Sequence, residues 1–105
     1  MIIDYGKHYN NSEKNIKKKK AELQMLEKIK THIKQCKDYK DLIHHPISKI
    51  YGFERLKHEL NNYYSFNLCK NGGATRLIIS INEKEQIISL EYISVNHYTD
   101  FKNKL

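Results

Sequence analysis

The chain has 105 residues, 39% of them hydrophobic, and this length fits one domain with a modest core that eight Tyr and three Phe help to fill. The formal net charge is +7, and residues 1–50, with twelve Lys against six acidic residues, carry +6 of it; this excess fits a polyanion, an acidic partner or simply a solvated, Lys-rich surface. The opening MIIDYGK is too short and polar for a signal peptide and no stretch has the length of a membrane span, so we expect a cytoplasmic protein with reduced cysteines.

The first predicted elements are a short strand at residues 1–5 and a long helix. Ser12 is a suitable N-cap for the helix, which we expect to run to about Lys37. Apolar residues recur there with helical spacing, namely Ile16, Leu23, Leu26, Ile29, Ile33 and Cys36. A continuous helix would measure roughly 40 Å, which is long for a compact domain of this size, so it must project or bend into two helices. The Lys17–Lys20 run would then be either a solvated face or a contact to an RNA backbone.

A connection and three strands follow. Residues 39–52 form the connection, because Pro46 disfavours helical backbone at His45. Residues 53–60, FERLKHEL, fit a short helix or a turn leading to a strand. The three strands span residues 63–70, 75–82 and 86–95, with a hairpin turn at Asn71-Gly72-Gly73. The sequence therefore predicts an α+β fold: an antiparallel sheet, made of the short N-terminal strand and a three-strand meander, with the long N-terminal helix or helical hairpin packed on one face.

Three residues of the strand region have side chains suited to chemistry on a phosphate. Strand alternation turns Leu77, Ile79 and Ile81 inward and puts Arg76 on the opposite face, which we expect to be open. Arg76 can bind a phosphate through its fork of donors, His97 can transfer a proton near neutral pH, and Tyr98 can stack on a base. Two simpler interpretations stay open: Arg76 pairs with Glu91 on the next strand, and His97 with Tyr98 only closes the sheet.

Two other motifs point to ordinary structure. His44 and His45 precede a proline and lack the matched Cys or acidic spacing of a metal site, so loop polarity explains them and we expect no metal. Nothing adjacent in the sequence would activate the Cys69 thiol, so we expect no nucleophilic role for it.

The strand region resembles a known family. FERLKHELNNYYSF, then TRLIISI, then a last strand ending in His-Tyr resembles the RelE/ParE toxin superfamily, and within it the YoeB-like branch of ribosome-dependent mRNA interferases. The residues that match its motifs are Glu54, Leu56, Lys57, Leu60, Tyr63 or Tyr64, Ser65, Arg76, Leu77, His97 and Tyr98. The resemblance covers roughly residues 47–101. It departs in four respects: Asn67 stands where the family often has Arg, both later turns are a few residues longer, the N-terminal helix is longer, and the chain continues past His97-Tyr98.

The resemblance implies a single RelE-like toxin domain over residues 1–105, belonging to a type II toxin–antitoxin system. Such toxins let the 2′-hydroxyl of ribosome-bound mRNA attack the adjacent phosphate, with no metal or cofactor. By matching position, Glu54 would be the general base, Arg76 would neutralise the phosphorane, His97 would protonate the leaving oxygen, and Tyr98 would position the nucleotide. The RNA-binding candidates are Lys57, Asn67, Lys70 and Lys102. The implied partners are a cognate antitoxin, the ribosome and mRNA.

Two other functions stay open at this point. A ParE-like gyrase inhibitor would lack the acid–base set, so Glu54 and His97 weigh against it. A non-catalytic, basic RNA-binding or interaction protein on the same scaffold is favoured by Asn67 in place of the family Arg.

Overall fold

The computed structural model describes residues 1–69 and 72–105, which form a mixed sheet with helices on both faces. The strands are β1 Ile2–Tyr5, β2 Glu54–Arg55, β3 Tyr63–Asn67, β4 Arg76–Asn82 and β5 Ile87–Ser94. The α-helices are α1 Tyr9–Ser12, α2 Lys20–Gln35, α3 Tyr39–His44, α4 Pro46–Ile50 and α5 Thr99–Lys102, with short 3-10 helices at Glu13–Ile16 and His58–Leu60. Lys70 and the predicted turn residue Asn71 lie outside the described residues.

The sheet has the strand order β1-β5-β4-β3-β2. The predicted meander is present, since β3, β4 and β5 pair in antiparallel fashion, and β2 adds a two-residue antiparallel edge strand. The prediction of a purely antiparallel sheet is wrong at β1, which pairs with β5 in parallel. A parallel pair needs a crossover connection, and the helices that follow β1 begin that crossover.

The predicted long helix is interrupted before α2. A single continuous helix is therefore wrong, and the alternative of a helix that bends into two is confirmed. Ser12 stands at the N-cap position of the 3-10 helix without a capping bond from its side chain; its hydroxyl donates to the Tyr9 carbonyl at 2.6 Å and accepts the Ile93 N–H at 2.8 Å. Asn15 donates to the Ile93 carbonyl at 2.8 Å. These bonds tie the first helical turns to β5, while the backbone of Lys19 leaves the helical region (φ −107°, ψ 89°) before α2 begins. The helix therefore bends where the Lys run is exposed.

The main core lies between the sheet and α1, α2 and α3. Leu77 and Ile79 point into it, as the strand alternation predicts, and the helical residues Ile16, Leu26, Ile29, Ile33 and Leu42 meet them there. Each of these side chains is almost completely buried. The hydrophobic effect of removing this apolar surface from water is the main term that holds helices and sheet together.

The opposite face of the sheet carries a second, smaller core, so the prediction that this face is open is wrong for its middle part. Phe101 of α5 is 1% exposed and packs on Ile78, Tyr92, Leu56 and Leu60. Its ring lies 4.9 Å from that of Tyr63 and 5.7 Å from that of Tyr92. An exposed Ile78 would leave apolar surface in water, and burying a side chain of that size stabilises the fold by about 1.5–3 kcal/mol.

The connection before β2 consists of two short helices that meet at His45. Asp38 caps α3 by accepting the Asp41 N–H at 2.8 Å, and the His45 imidazole caps α4 by accepting the Ile47 N–H at 3.1 Å. Pro46 occupies the first turn of α4, where its missing N–H costs nothing.

Neither metal-binding clusters nor membrane-spanning helices occur in the described part of the chain. Residues 1–69 and 72–105 contain no group of three or more His, Cys, Asp or Glu side chains arranged to hold a metal ion. No helix in these ranges is both long and apolar enough to cross a membrane.

Candidate active site at the uncovered end of the sheet

The strand register puts the candidate residues into two rows on the face that carries α5. The first row across the strands consists of Glu54, Ser65, Ile78 and Tyr92. The next row consists of Asn67, Arg76 and Ser94. The Cα atoms of Glu54 and Arg76 are therefore two strand spacings and one pleat repeat apart, roughly 12 Å. Two long side chains and a phosphate group can fill such a gap.

Tyr98 and Glu54 meet directly, although they are 44 residues apart in sequence. The Tyr98 hydroxyl donates to Glu54 Oε1 at 2.5 Å. Burial of the phenol raises the pKa of Tyr98, the bond to Glu54 adds to this, and the Ser65 hydroxyl and the Arg76 charge act in the opposite direction. The buried Ser65 hydroxyl has no well-formed hydrogen bond to any residue that the structure describes. Tyr98, Glu54, Ser65 and Arg76 are therefore close enough to influence one another.

Arg76 is held in place by acceptors at the start of its own strand. Its Nη1 donates to the Gly73 carbonyl at 2.6 Å, to the Thr75 carbonyl at 3.1 Å and to Asn67 Oδ1 at 3.1 Å. Nε and Nη2 make no hydrogen bond to the described residues. The alternative pairing with Glu91 is wrong, because the Glu91 carboxylate accepts a hydrogen bond from Ser80 at 2.6 Å instead.

His97 is anchored to the same short segment as Arg76. Its N–H donates to the Ala74 carbonyl at 2.9 Å, and Ala74 lies between the two carbonyls that hold Arg76. The backbone of His97 is left-handed (φ 64°), an uncommon conformation for a residue with a side chain. Its exposed imidazole lies edge-on to the Tyr98 ring, with 6.1 Å between the ring centroids. Residues 73–75 therefore fix both Arg76 and the loop that presents His97 and Tyr98.

The RNA-binding candidates lie in different settings. Lys57 is exposed and lines a shallow groove with His97 and Tyr98. Lys102 lines the same groove but forms an ion pair with Glu59, which lowers the pKa of that carboxyl. Asn67 Oδ1 accepts hydrogen bonds from the Cys69 N–H at 2.9 Å and from Arg76 at 3.1 Å, so this oxygen is engaged within the protein. Lys70 lies outside the described residues.

Sequence reasoning missed several residues that border this site. His58 also has a left-handed backbone (φ 57°) and lines the groove of Lys57 and Tyr98, as well as a neighbouring groove that Glu54 borders. Ser65 matches the family signature but was assigned no role, although its buried hydroxyl lies in the row of Glu54. Asp100 and Ser94 bind each other next to His97. A polar residue near a strand end is common, so no periodic signal could have singled these residues out.

Comparisons with known proteins agree on the fold. No protein-family profile matches the chain, and no curated protein sequence does. Among solved structures, YafQ from E. coli strain BL21(DE3) superposes with a TM-score of 0.61 and 16% identity, over 89% of this chain and 90% of YafQ. The YoeB/ParE toxin from Agrobacterium tumefaciens gives 0.59 and 16%, over 91% of this chain and 99% of the toxin.

Two further similar structures contain toxins of the same kinds. The YoeB dimer from Staphylococcus aureus superposes with a TM-score of 0.56 and 14% identity, over 90% of this chain and 94% of YoeB. The E. coli DinJ–YafQ toxin–antitoxin complex contains a chain that matches with 0.61 and 15%, over 93% of this chain and 92% of that one. The likeness extends over nearly the whole of both chains in every case, and it concerns the fold. The chain therefore has the fold seen in the YafQ and YoeB toxin structures.

Proposed function

We propose that residues 1–105 act as a single toxin domain of a type II toxin–antitoxin system, and that the toxin is a metal-independent endoribonuclease acting on ribosome-bound mRNA. The observation that carries the proposal is the hydrogen bond between Tyr98 and Glu54, formed beside Arg76 and next to His97. A carboxylate, a guanidinium, an imidazole and a phenol at one end of a sheet face are the groups that such a cleavage needs. The fold shared with YafQ and YoeB supports the same reading.

In the proposed reaction the RNA supplies its own nucleophile. Glu54 takes the proton of a 2′-hydroxyl, and the 2′-oxygen forms a bond to the adjacent phosphorus. The bond from phosphorus to the 5′-oxygen breaks, and that oxygen takes a proton from the His97 imidazolium. The products are a 2′,3′-cyclic phosphate and a free 5′-hydroxyl, and the two proton transfers balance.

Arg76 and Tyr98 would act on charge and position. The three acceptors on Nη1 preorganise Arg76, so its remaining donors can meet the charge that develops on the phosphorane. The Tyr98 hydroxyl donates a hydrogen bond to the Glu54 carboxylate. An incoming nucleotide would displace this hydroxyl from the carboxylate and stack on the Tyr98 ring. Lys57 and Lys102 border this space and would contact the RNA backbone.

The proposed partners are a cognate antitoxin, the ribosome and its mRNA, in the cytoplasm. The antitoxin complexes known for YafQ and YoeB motivate the first of these. The net charge of +7 suits contact with ribosomal and messenger RNA.

The testing experiment compares cleavage of mRNA on programmed ribosomes by the wild type and by two variants. Glu54→Gln and His97→Ala should each lower the cleavage rate by about a hundred-fold or more, the usual contribution of a positioned acid or base. His44→Ala is the matched control, because His44 is equally exposed but lies on α3, and it should cleave like the wild type.

Other outcomes identify the competing functions. If the wild type binds ribosomes without cleaving mRNA, the non-catalytic RNA-binding function replaces the proposed one. If the protein leaves mRNA intact and inhibits supercoiling by purified DNA gyrase, it is a ParE-like inhibitor.

A further inference from the structure

We infer that Asp100 is a positioning residue that holds the loop of His97 and Tyr98 in its working conformation. The inference concerns a contact within the chain, and its effect on cleavage rests on the proposed function. Asp100 touches neither candidate side chain; it closes the loop, residues 94–100, that carries both.

The Asp100 carboxylate, at the end of this loop, accepts hydrogen bonds from residues at its beginning. Its Oδ1 accepts a hydrogen bond from the Ser94 hydroxyl at the end of β5, and its Oδ2 accepts the Val95 N–H at 3.3 Å. Asn96 strengthens the closure, because its side-chain oxygen accepts the Asp100 N–H at 3.0 Å. Ser94 is completely buried, so its hydroxyl depends on these protein partners.

The loop closed in this way includes the left-handed residue His97. Left-handed backbone at a residue with a side chain persists where surrounding contacts over-determine it. Two sets of contacts do so here: the carboxylate of Asp100 closes the base of the loop, and the Ala74 carbonyl accepts the His97 N–H at 2.9 Å. Ser94 lies directly opposite Arg76 in the sheet, so the closure also fixes the loop relative to Arg76.

Asp100 joins α5 to the end of β5, and its Oδ1 also accepts the Phe101 N–H at 2.9 Å, but other residues of α5 dock this helix as well. Phe101 is buried in the second core, and Lys102 forms its ion pair with Glu59. Removing the carboxylate charge should therefore leave α5 docked and release the loop. These other contacts allow positioning to be measured apart from folding.

The test uses Asp100→Asn and Ser94→Ala, which weaken the same contact from opposite sides. Asp4→Asn is the matched control, since it loses the same charge on β1, where the one hydrogen bond to the Asp4 carboxylate from residues 1–69 and 72–105 comes from the adjacent Tyr5 N–H. Amide hydrogen exchange of His97 is read by NMR, and cleavage of ribosome-bound mRNA is measured as a rate at saturation and a half-saturating concentration.

We expect exchange at the His97 amide to become at least about tenfold faster in Asp100→Asn and Ser94→Ala and to stay unchanged in Asp4→Asn. The ring contact between Phe101 and Tyr63, read by NMR, should persist in all three variants because Phe101 stays buried in the second core. The cleavage rate at saturation should fall by about ten- to a hundred-fold, as misplacement of a catalytic group by about 1 Å does. The half-saturating concentration should stay constant. The double variant should be no slower than the slower single variant, because both changes break one contact.

Unchanged His97 exchange in both variants overturns the inference, whether or not the wild type cleaves RNA. Faster exchange with a wild-type cleavage rate also overturns it, since the loop would then be ordered without a consequence for the reaction. Loss of folding in both variants overturns it too, because the contact would be structural only. If the wild type shows protected His97 exchange but no cleavage, the proposed function fails and the exchange data alone decide whether Asp100 orders the loop.

Discussion

Phe101→Ala is expected to unfold the protein at a distinctly lower denaturant concentration, because it empties the centre of the second core. The ring is 1% exposed and lies within 6 Å of two tyrosine rings, at 4.9 Å from Tyr63 and 5.7 Å from Tyr92. Truncating a buried Phe to Ala costs about 3–5 kcal/mol. The four-residue helix α5 covers this site, so the side chains around the truncated residue can partly fill the cavity. We therefore expect a loss of free energy of unfolding at the lower end of that range, about 3 kcal/mol. For a domain of this size that corresponds to a fall in Tm of roughly 12–20 °C.

Urea unfolding followed by circular dichroism measures this change, with Ile50→Ala as the control. Ile50 is 77% exposed on α4, so its truncation should change the free energy of unfolding by no more than about 0.5 kcal/mol. A loss below about 1 kcal/mol for Phe101→Ala, with an unchanged denaturant slope, would refute the reasoning. It would mean that α5 does not pack on the sheet in solution.

Three further predictions concern single side chains. His97→Ala should leave Tm nearly unchanged, since the imidazole is exposed, while cleavage of ribosome-bound mRNA falls by about a hundred-fold or more; a lower Tm with normal activity per folded molecule would contradict this. Tyr98→Phe removes the bond to Glu54 but keeps the ring, so urea unfolding should show a loss of about 1 kcal/mol or less, and a larger loss would point to a disturbed core. Burial lowers the pKa of His32, and the nearby His45 lowers it further. The unfolded state therefore binds a proton at this residue more readily than the folded state, so Tm should fall as the pH drops below the ordinary His value of about 6.5. His32→Gln should flatten that fall in Tm, and an equally steep curve would exclude His32 as its cause.

The sequence predicted the three central strands because their side chains alternate with period two. That alternation placed Leu77 and Ile79 in the core and Arg76 on the opposite face, as observed. The meeting of Glu54 and Tyr98 could not come from periodicity, because a hydrogen bond across 44 residues leaves no local pattern. Only the resemblance to RelE/ParE toxins brought these two residues into one hypothesis.

The errors arose where distant contacts override local preference. The helix predicted from Ser12 breaks because Ser12 and Asn15 bind the backbone of Ile93, about eighty residues away. Parallel pairing of β1 with β5 is likewise a tertiary contact. The covered sheet face depends on Phe101, one apolar residue in a short polar segment, which offers too few residues for a helical pattern to be recognised.

The central claim is tested most directly by the chemistry of the ends that the protein leaves on ribosome-bound mRNA. Attack by the 2′-hydroxyl with Glu54, Arg76 and His97 in the proposed roles predicts a 2′,3′-cyclic phosphate on the upstream fragment and a free 5′-hydroxyl on the downstream one. Fragments with a 5′-phosphate and a 3′-hydroxyl would contradict the account, because they indicate attack on the phosphorus by water and not by the 2′-hydroxyl.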